Sequence, residues 1–445
     1  MSELLIQNTS VLQIAADGSS CSILENHDIL VQGKYIQAVQ PTGQVDASHF
    51  KQVIDGSYLL TMPGLINCHA HSPMVLFRGL AEDVNVAEWF NDYIWKLEHN
   101  LSEDAQDVYW GMKLGIAEML RSGVTTVNEH YFFMDQAAQA VDEMGFRALL
   151  GWAIFSSAGE AMIERSADFA TQWRGAADGR IQTIMAPHAP YTCTEDYLRA
   201  CAFKAKQIGT GIHIHVSETD LQTQNSLKDF GRTPIEILED TGVLDVPTVL
   251  AHACGALDRD ITLLSRYQAG VAHCPKTYLK LAHEPAAVVK FREAGIPMGL
   301  GSDGAASNNT LNIFEALRLM AMEQKRQTED STRLPIPETL YIATREAAKV
   351  VGRGDELGSI EAGYLADMIM LDLSGLHHQP LHSVSASLVY NTEQSDVRHS
   401  IINGEVIMYN REILTANVDE IVYEANSRKN RMKRRGEANI QSYNP

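Results

Sequence analysis

No apolar run in this 445-residue chain is long enough to cross a bilayer, and the opening Met1-Ser2-Glu3-Leu4-Leu5-Ile6 has no basic segment ahead of a long apolar one. Neither a signal peptide nor a transmembrane span is therefore expected. Basic residues are scarce: 36 Lys and Arg stand against 56 Asp and Glu, a net charge of −20. That balance argues against a phosphate backbone as partner. Cysteines are few and scattered. Cys21, Cys68, Cys193, Cys201, Cys254 and Cys274 form no Cys-x-x-Cys pair and fit reduced thiols, so a cytoplasmic location is expected, with no nucleic acid and no membrane as partner. Low-complexity tracts are missing too, and no repeat stands out beyond an alternation of strand and helix. What remains is a globular composition, 45% hydrophobic, with length for one barrel of ordinary size and an appended domain.

From Leu65 onward, short β-branched or apolar runs alternate with longer helical stretches. Eight such runs are read: Leu65 to His71, Gly123 to His130, Arg147 to Ile154, Ile181 to Ala189, Gly211 to Glu218, Thr248 to Cys254, Gly270 to Pro275 and Pro297 to Gly304. Between them lie amphipathic segments such as Asp104 to Ser122, with Val108, Met112, Ile116 and Met119 on one face. Strand-helix alternation predicts a parallel sheet, and eight repeats without a long remainder favour an α/β fold closed into a (β/α)8 TIM barrel over an open sheet.

The barrel is bracketed by β segments. Leu4 to Gln7, Asp28 to Val31 and Tyr35 to Val39 precede it; Leu365 to Leu373, Ala386 to Val389 and Val397 to Met408, the last with an Asn403-Gly404 hairpin turn, follow it. Each set is too short to bury its own face, so a small β-sandwich built from both termini is expected. The resulting division is 1–62 and 356–413 for the two parts of the sandwich, 63–355 for the barrel and 414–445 for a helical tail. The tail's basic run, Arg428-Lys429 and Arg431 to Arg435, reads as a solvated helix face or, second, as a contact to an acidic partner surface.

Catalytic residues of such barrels sit at the C-terminal ends of strands. Here His69 and His71 end the first run, His188 the fourth, His215 and Glu218 the fifth, His252 the sixth, His273 the seventh and Asp303 the eighth. Alternate strand residues face one way, so His69 and His71 can hold one ion while His215 and Asp303 arrive from other strands. A His-x-His pair by itself is weak evidence, since about 0.6 such pairs arise by chance at this His content, and His213 with His215 forms a second one. Three imidazoles and a carboxylate suit zinc, with iron second. Such a site leaves a position for water and lowers its pKa toward neutrality. Glu218 can reach the same cavity without being a ligand and give a proton to a ring nitrogen. His252 is placed to orient water or polarise a developing oxyanion, and Asp303 can also take the water's proton. The reaction class is attack of water on an sp2 carbon with loss of a leaving group: deamination, amide hydrolysis or dechlorination. Cys254 and Cys274 read as small buried fillers beside the site.

Pro63 to Met74, the strand bearing His215 and Glu218, and Gly301 to Asn309 resemble the amidohydrolase superfamily, more narrowly its 5'-methylthioadenosine/S-adenosylhomocysteine deaminase branch, over nearly the full length. The resemblance implies His69, His71, His215 and Asp303 as ligands of one divalent metal ion, and Glu218 and His252 as proton shuttles. It also implies Glu98, reached through Trp89-Phe90, on ribose hydroxyls, and His188 of Pro187-His188-Ala189-Pro190-Tyr191 on substrate. No Lys stands on the fourth strand, so a carbamylated Lys bridging two metals is not expected. Two departures bear on substrate. Trp152 stands near the place where the branch can show an Arg, and His273-Cys274-Pro275-Lys276-Thr277-Tyr278 replaces a more usual Asn-Pro-x-Ser-Asn. Lys276 and Tyr278 would add a charge and a ring to the pocket or cover its rim. The expectation is a homo-oligomeric hydrolase that deaminates a purine nucleoside, with a pterin, guanine-like base or s-triazine as the alternative substrate class. A non-enzymatic scaffold is disfavoured because no ligand is missing.

Overall fold

A computed structural model of the chain describes residues 3–433. The eight runs are eight parallel strands: Leu65–His71, Val124–Tyr131, Arg147–Ile154, Ile181–Pro187, Ile212–Val216, Thr248–His252, Ala269–His273 and an eighth in two pieces, Met298–Leu300 and Asp303–Gly304. They pair in sequence order. The first piece of the eighth strand pairs with the seventh, and the second pairs with the first strand at Ala70 and His71, which closes the ring. Between the pieces, the Asn67 side chain accepts from the Ser302 amide at 2.9 Å and donates to the Ser302 hydroxyl at 2.7 Å. The expected (β/α)8 barrel is thus the observed one.

The strands are buried along almost their whole length, with Leu149 and Gln182 half-buried, as expected where helices cover a parallel sheet outside and side chains fill it inside. The first outer helix spans Ala105–Arg121. It starts where the Asp104 side chain accepts from the Gln106 amide, and it buries Val108, Met112, Ile116 and Met119.

Strands from both termini form one mixed sheet. Leu59–Pro63 lies in its middle, parallel to Glu3–Ile14 and antiparallel to Met368–Asp372. A bridge between Tyr35 and Leu365 brings the far edge back, giving the sandwich-like domain a core of Leu4, Ile6, Ile29, Met368, Met370 and Ile401. The chain crosses to the barrel at Gly64, where any side chain would meet the Thr125 hydroxyl at 2.1 Å. Among the described residues no helix is long and apolar enough to cross a membrane.

Two expectations are corrected. Ala386 to Val389 is not a strand but part of the helix Val384–Tyr390, capped by the Ser383 hydroxyl. Met368–Asp372 and Val397–Ile402 pair directly with each other, so no sheet edge is free for it between them. The basic run divides where it is described: Lys429 and Lys433 are exposed, as a solvated face requires, whereas Arg428 and Arg431 turn inward. In the helix Val418–Met432, Arg428 Nε lies 2.9 Å from Oδ1 of the buried Asp107, Arg431 pairs with the same carboxylate, and the Arg428 guanidinium sits over the Trp110 ring. Arg434 and Arg435 lie outside the described residues.

The barrel is fastened to the terminal sheet by a fully buried ion pair. Arg147, at the start of the third strand, donates to both oxygens of Asp367 at 2.6 and 2.9 Å and to Asn403 Oδ1 at 3.0 Å, while Asp367 also accepts from the Asn403 amide. Removing one partner of such a pair leaves the other charge buried and uncompensated. Arg147→Ala is expected to cost about 3–5 kcal/mol in urea unfolding; a loss under about 1 kcal/mol would contradict the role assigned to the pair.

Candidate metal centre

His71 and His215 face each other across the top of the barrel with their Nε2 atoms 3.2 Å apart. The other ring nitrogens determine what this contact is. His71 Nδ1 lies 2.6 Å from the His130 carbonyl and His215 Nδ1 lies 2.9 Å from the His188 carbonyl. A carbonyl only accepts, so each Nδ1 carries the hydrogen. Burial and the neighbouring imidazoles lower His71 to about 4 and hold His215 well below its usual value, so both rings are neutral. Each Nε2 is then a bare lone pair.

Asp303 adds negative charge to the same point. Its Oδ1 stands 3.3 Å from His71 Nε2 and 3.5 Å from His69 Nε2, and the latter atom is buried without a hydrogen-bond partner. The other oxygen, Oδ2, accepts from the Thr277 and Ser307 hydroxyls at 3.1 and 2.8 Å. Donor atoms of His69, His71 and Asp303 lie within 4.8 Å of one another, as do those of His69, His215 and His252. Three imidazole nitrogens, two of them bare lone pairs, crowded with a carboxylate oxygen fit a divalent cation.

Parallel strand ends deliver these groups, and three of the ends are strained. Ser217, His252 and Asp303 adopt φ of +46°, +78° and +58°, a region that residues other than glycine seldom occupy. The second His-x-His pair also has a place here. His213 Nε2 lies 2.9 Å from His69 Nδ1 and so orients the first ring from behind.

Glu218 lines the cavity beside the cluster. Its carboxyl is raised to about 7, chiefly by burial, against the stabilising hydrogen bonds of the Tyr191 hydroxyl, 2.5 Å away, and of Gln222. His252 Nδ1 meets the Tyr278 hydroxyl at 3.3 Å, and burial lowers that imidazole to about 3. Glu98 enters from the helix Trp95–Ser102, and burial lifts its carboxyl to about 8 despite a hydrogen bond with Tyr131. His188 stacks on Phe155 with ring centroids 4.6 Å apart, and Trp89 completes that wall with its Nε1 donating to the Ala306 carbonyl.

Two expected substrate contacts are not brought to this cavity. Trp152 points the opposite way from its neighbour Ala153, which does line it, because strand residues alternate. Trp152 packs instead on Phe169 and under the Arg165 guanidinium, at the wall of an adjoining cavity. Lys276 is held away by Glu315 at 2.8 Å and Thr310 at 3.2 Å. Tyr278 lines the cavity, adding the ring that was expected there, and three residues were not foreseen: His130 at the end of the second strand, Tyr191 on Glu218, and His283 on the cavity wall. His130 obeys the same strand-end rule that picked out the ligands; His283 stands in a loop and carries no sequence signal.

The family model described as "Amidohydrolase family" matches residues 60–407. A protein of Caldanaerobacter subterraneus subsp. tengcongensis named 5-methylthioadenosine/S-adenosylhomocysteine deaminase is 40% identical over 432 residues, 96% of this chain and 97% of its own length. One of the same name from Syntrophomonas wolfei is 39% identical over 95% of this chain and 97% of its own. Among solved structures, an adenosine deaminase from Xanthomonas campestris with bound zinc aligns with a TM-score of 0.90 at 33% identity, covering 97% of this chain and 99% of that one. An atrazine chlorohydrolase from Arthrobacter aurescens shares the fold, at a TM-score of 0.86 and 23% identity over 95% and 99%.

Two measurements follow from the geometry. His213→Ala should fold and yet bind its metal about 10–100-fold more weakly; parental affinity would remove His213 from the site's support. A carboxyl whose folded pKa lies above its unfolded value stabilises most at low pH, and Glu98 should therefore cost stability as pH rises from about 4.5 through about 8. The melting temperature of Glu98→Gln should gain on that of the parent between pH 6 and 9, and a constant gap would contradict the buried neutral carboxyl.

Proposed function

Because the chain belongs to the amidohydrolase family, we propose that it is a metal-dependent deaminase that replaces the exocyclic amine of an adenine nucleoside with oxygen, consuming water and releasing ammonia. The substrates we expect are 5'-methylthioadenosine, S-adenosylhomocysteine or adenosine. The observation that carries this reading is the pair of bare imidazole nitrogens facing one carboxylate, with a protonatable Glu218 beside them.

His69, His71, His215 and Asp303 would hold one ion, zinc by their donor chemistry. An ion there supplies Lewis acidity and brings the pKa of a water toward neutrality. Glu218, its carboxyl raised to about 7, is poised to hold or release a proton near neutral pH and in its protonated form can pass it to the ring nitrogen adjacent to the carbon under attack. Its Tyr191 bond holds the carboxyl in place. Asp303 stays ionised, fixed through Oδ2 by two hydroxyls, and offers the carboxylate that takes the proton of the attacking water. His252 is neutral and aligns that water, braced by Tyr278. His188 and Trp89 would flank the heterocycle, and Glu98 would bind the ribose hydroxyls. The scattered free thiols suit a cytoplasmic enzyme, and we expect a homo-oligomer acting on small molecules.

The flat aromatic walls would accept other amino-heterocycles as well, so the test is a panel. The metal-loaded protein should release ammonia from the adenosine-type nucleosides and not from guanine or a pterin. Turnover of a free base or pterin alone would overturn the nucleoside reading. Glu218→Gln should keep its metal content while kcat falls by about two to four orders of magnitude; undiminished turnover would take the proton role away from Glu218.

A further inference from the structure

Next to the metal cavity lies a second one of about 720 Å³, open to solvent, and the two share Trp95, Glu98, Phe132 and Phe155 as a common wall. The second cavity is within the size range of small-molecule sites. Phe133, Trp152 and Met162 complete its apolar surface, and His99, Ser102 and Ser157 form its polar rim. Resting on the reading above, a nucleoside with its ring at the metal cluster and its ribose hydroxyls on Glu98 has one group left to place, the 5' substituent. Glu98 stands where the two cavities meet.

The walls determine which substituents are welcome. Among the described residues lining this cavity, Arg165 is the one Lys or Arg, and it already has partners: its Nη2 donates to Asp135 Oδ2 at 2.6 Å and its guanidinium lies 4.7 Å from the Trp152 ring centroid. Asp135 is fixed in turn by the Trp173 indole, which donates to Oδ1 at 2.8 Å. An incoming carboxylate would have to share with Asp135 a guanidinium whose charge Asp135 already balances, and a charge left uncompensated against aromatic rings is disfavoured. An uncharged thioether or alkyl group meets only favourable apolar contact. We propose that this second cavity is the site for the 5' substituent and that it selects uncharged, apolar groups, so that 5'-alkylthio nucleosides are preferred over those ending in an amino-acid zwitterion, with Trp152 and the Arg165–Asp135 pair setting the preference.

The experiment compares kcat/KM of the metal-loaded enzyme for adenosine, 5'-methylthioadenosine, a 5'-butylthio analogue and S-adenosylhomocysteine. Both alkylthio nucleosides should exceed S-adenosylhomocysteine by at least about tenfold and should exceed adenosine as well. S-adenosylhomocysteine matching or surpassing them would overturn the preference and leave nucleoside deamination intact. Adenosine equal to the alkylthio compounds would overturn the assignment of the cavity. Failure of all four nucleosides beside turnover of a base would fell the underlying reading and this inference with it. Trp152→Arg should move the ratio of S-adenosylhomocysteine to 5'-methylthioadenosine about tenfold toward the zwitterion, and Met162→Lys, at a half-buried position of the same wall, repeats the test should the first variant fold poorly. An unmoved ratio in a folded variant would overturn the role of this wall.

Discussion

Two backbone carbonyls govern the chemistry of this molecule. Those of His130 and His188 each take the hydrogen of a histidine Nδ1, and by doing so they strip the inward nitrogens of His71 and His215 of any proton. Burial then forbids either ring to gain one, because a charged imidazole there would be desolvated among other imidazoles. Two lone pairs and a carboxylate are left pointing at the same few ångströms of space. A divalent cation would relieve that crowding.

The barrel is what makes such an arrangement affordable. Adjacent parallel strands put a backbone carbonyl of one strand beside the side chain of the next, so the second strand serves His71 and the end of the fourth serves His215. Strained backbone at Ser217, His252 and Asp303 is held by walls that are buried throughout and tied to the terminal sheet through Arg147 and Asp367. Around the cation site the carboxyls diverge in character. Asp303, next to imidazoles, remains ionised, whereas Glu218 and Glu98, pushed up by burial, hold their protons far more readily. Acid and base are separated by environment alone.

Much of this was legible in the chain. Barrel strands advertise themselves as short apolar runs, and the ligands stand at their ends, so fold and cluster could be read from different residues and agree. What escaped has physical causes. The run Ala386 to Val389 is apolar enough for strand or helix, and the Ser383 cap, with Met368–Asp372 and Val397–Ile402 already paired to each other, decides for helix. Trp152 faces the adjoining cavity and not the metal one because strand parity sends it to the other side of its neighbour Ala153. Lys276 looked like a pocket cation but had a partner 39 residues away in Glu315. Arg428 and Arg431 read as solvated because Asp107 lies more than 300 residues earlier. Long-range pairings of this kind leave no local trace.

The divided eighth strand has a consequence of its own. Its second piece, Asp303–Gly304, pairs with the first strand at Ala70 and His71, so the carboxylate proposed to hold the cation belongs to one of the two residues that close the ring of strands. Between the pieces, Asn67 bridges the gap to Ser302. The barrel therefore has a clasp, and the proposed metal site lies on it. An ion held there by His69, His71 and Asp303 would tie the last strand to the first from within, and metallation would then be a closing step of assembly as well as a condition of chemistry. An emptied protein would loosen first along this one seam, at residues 69–71 and 301–304, while the opposite side of the barrel keeps its pairing.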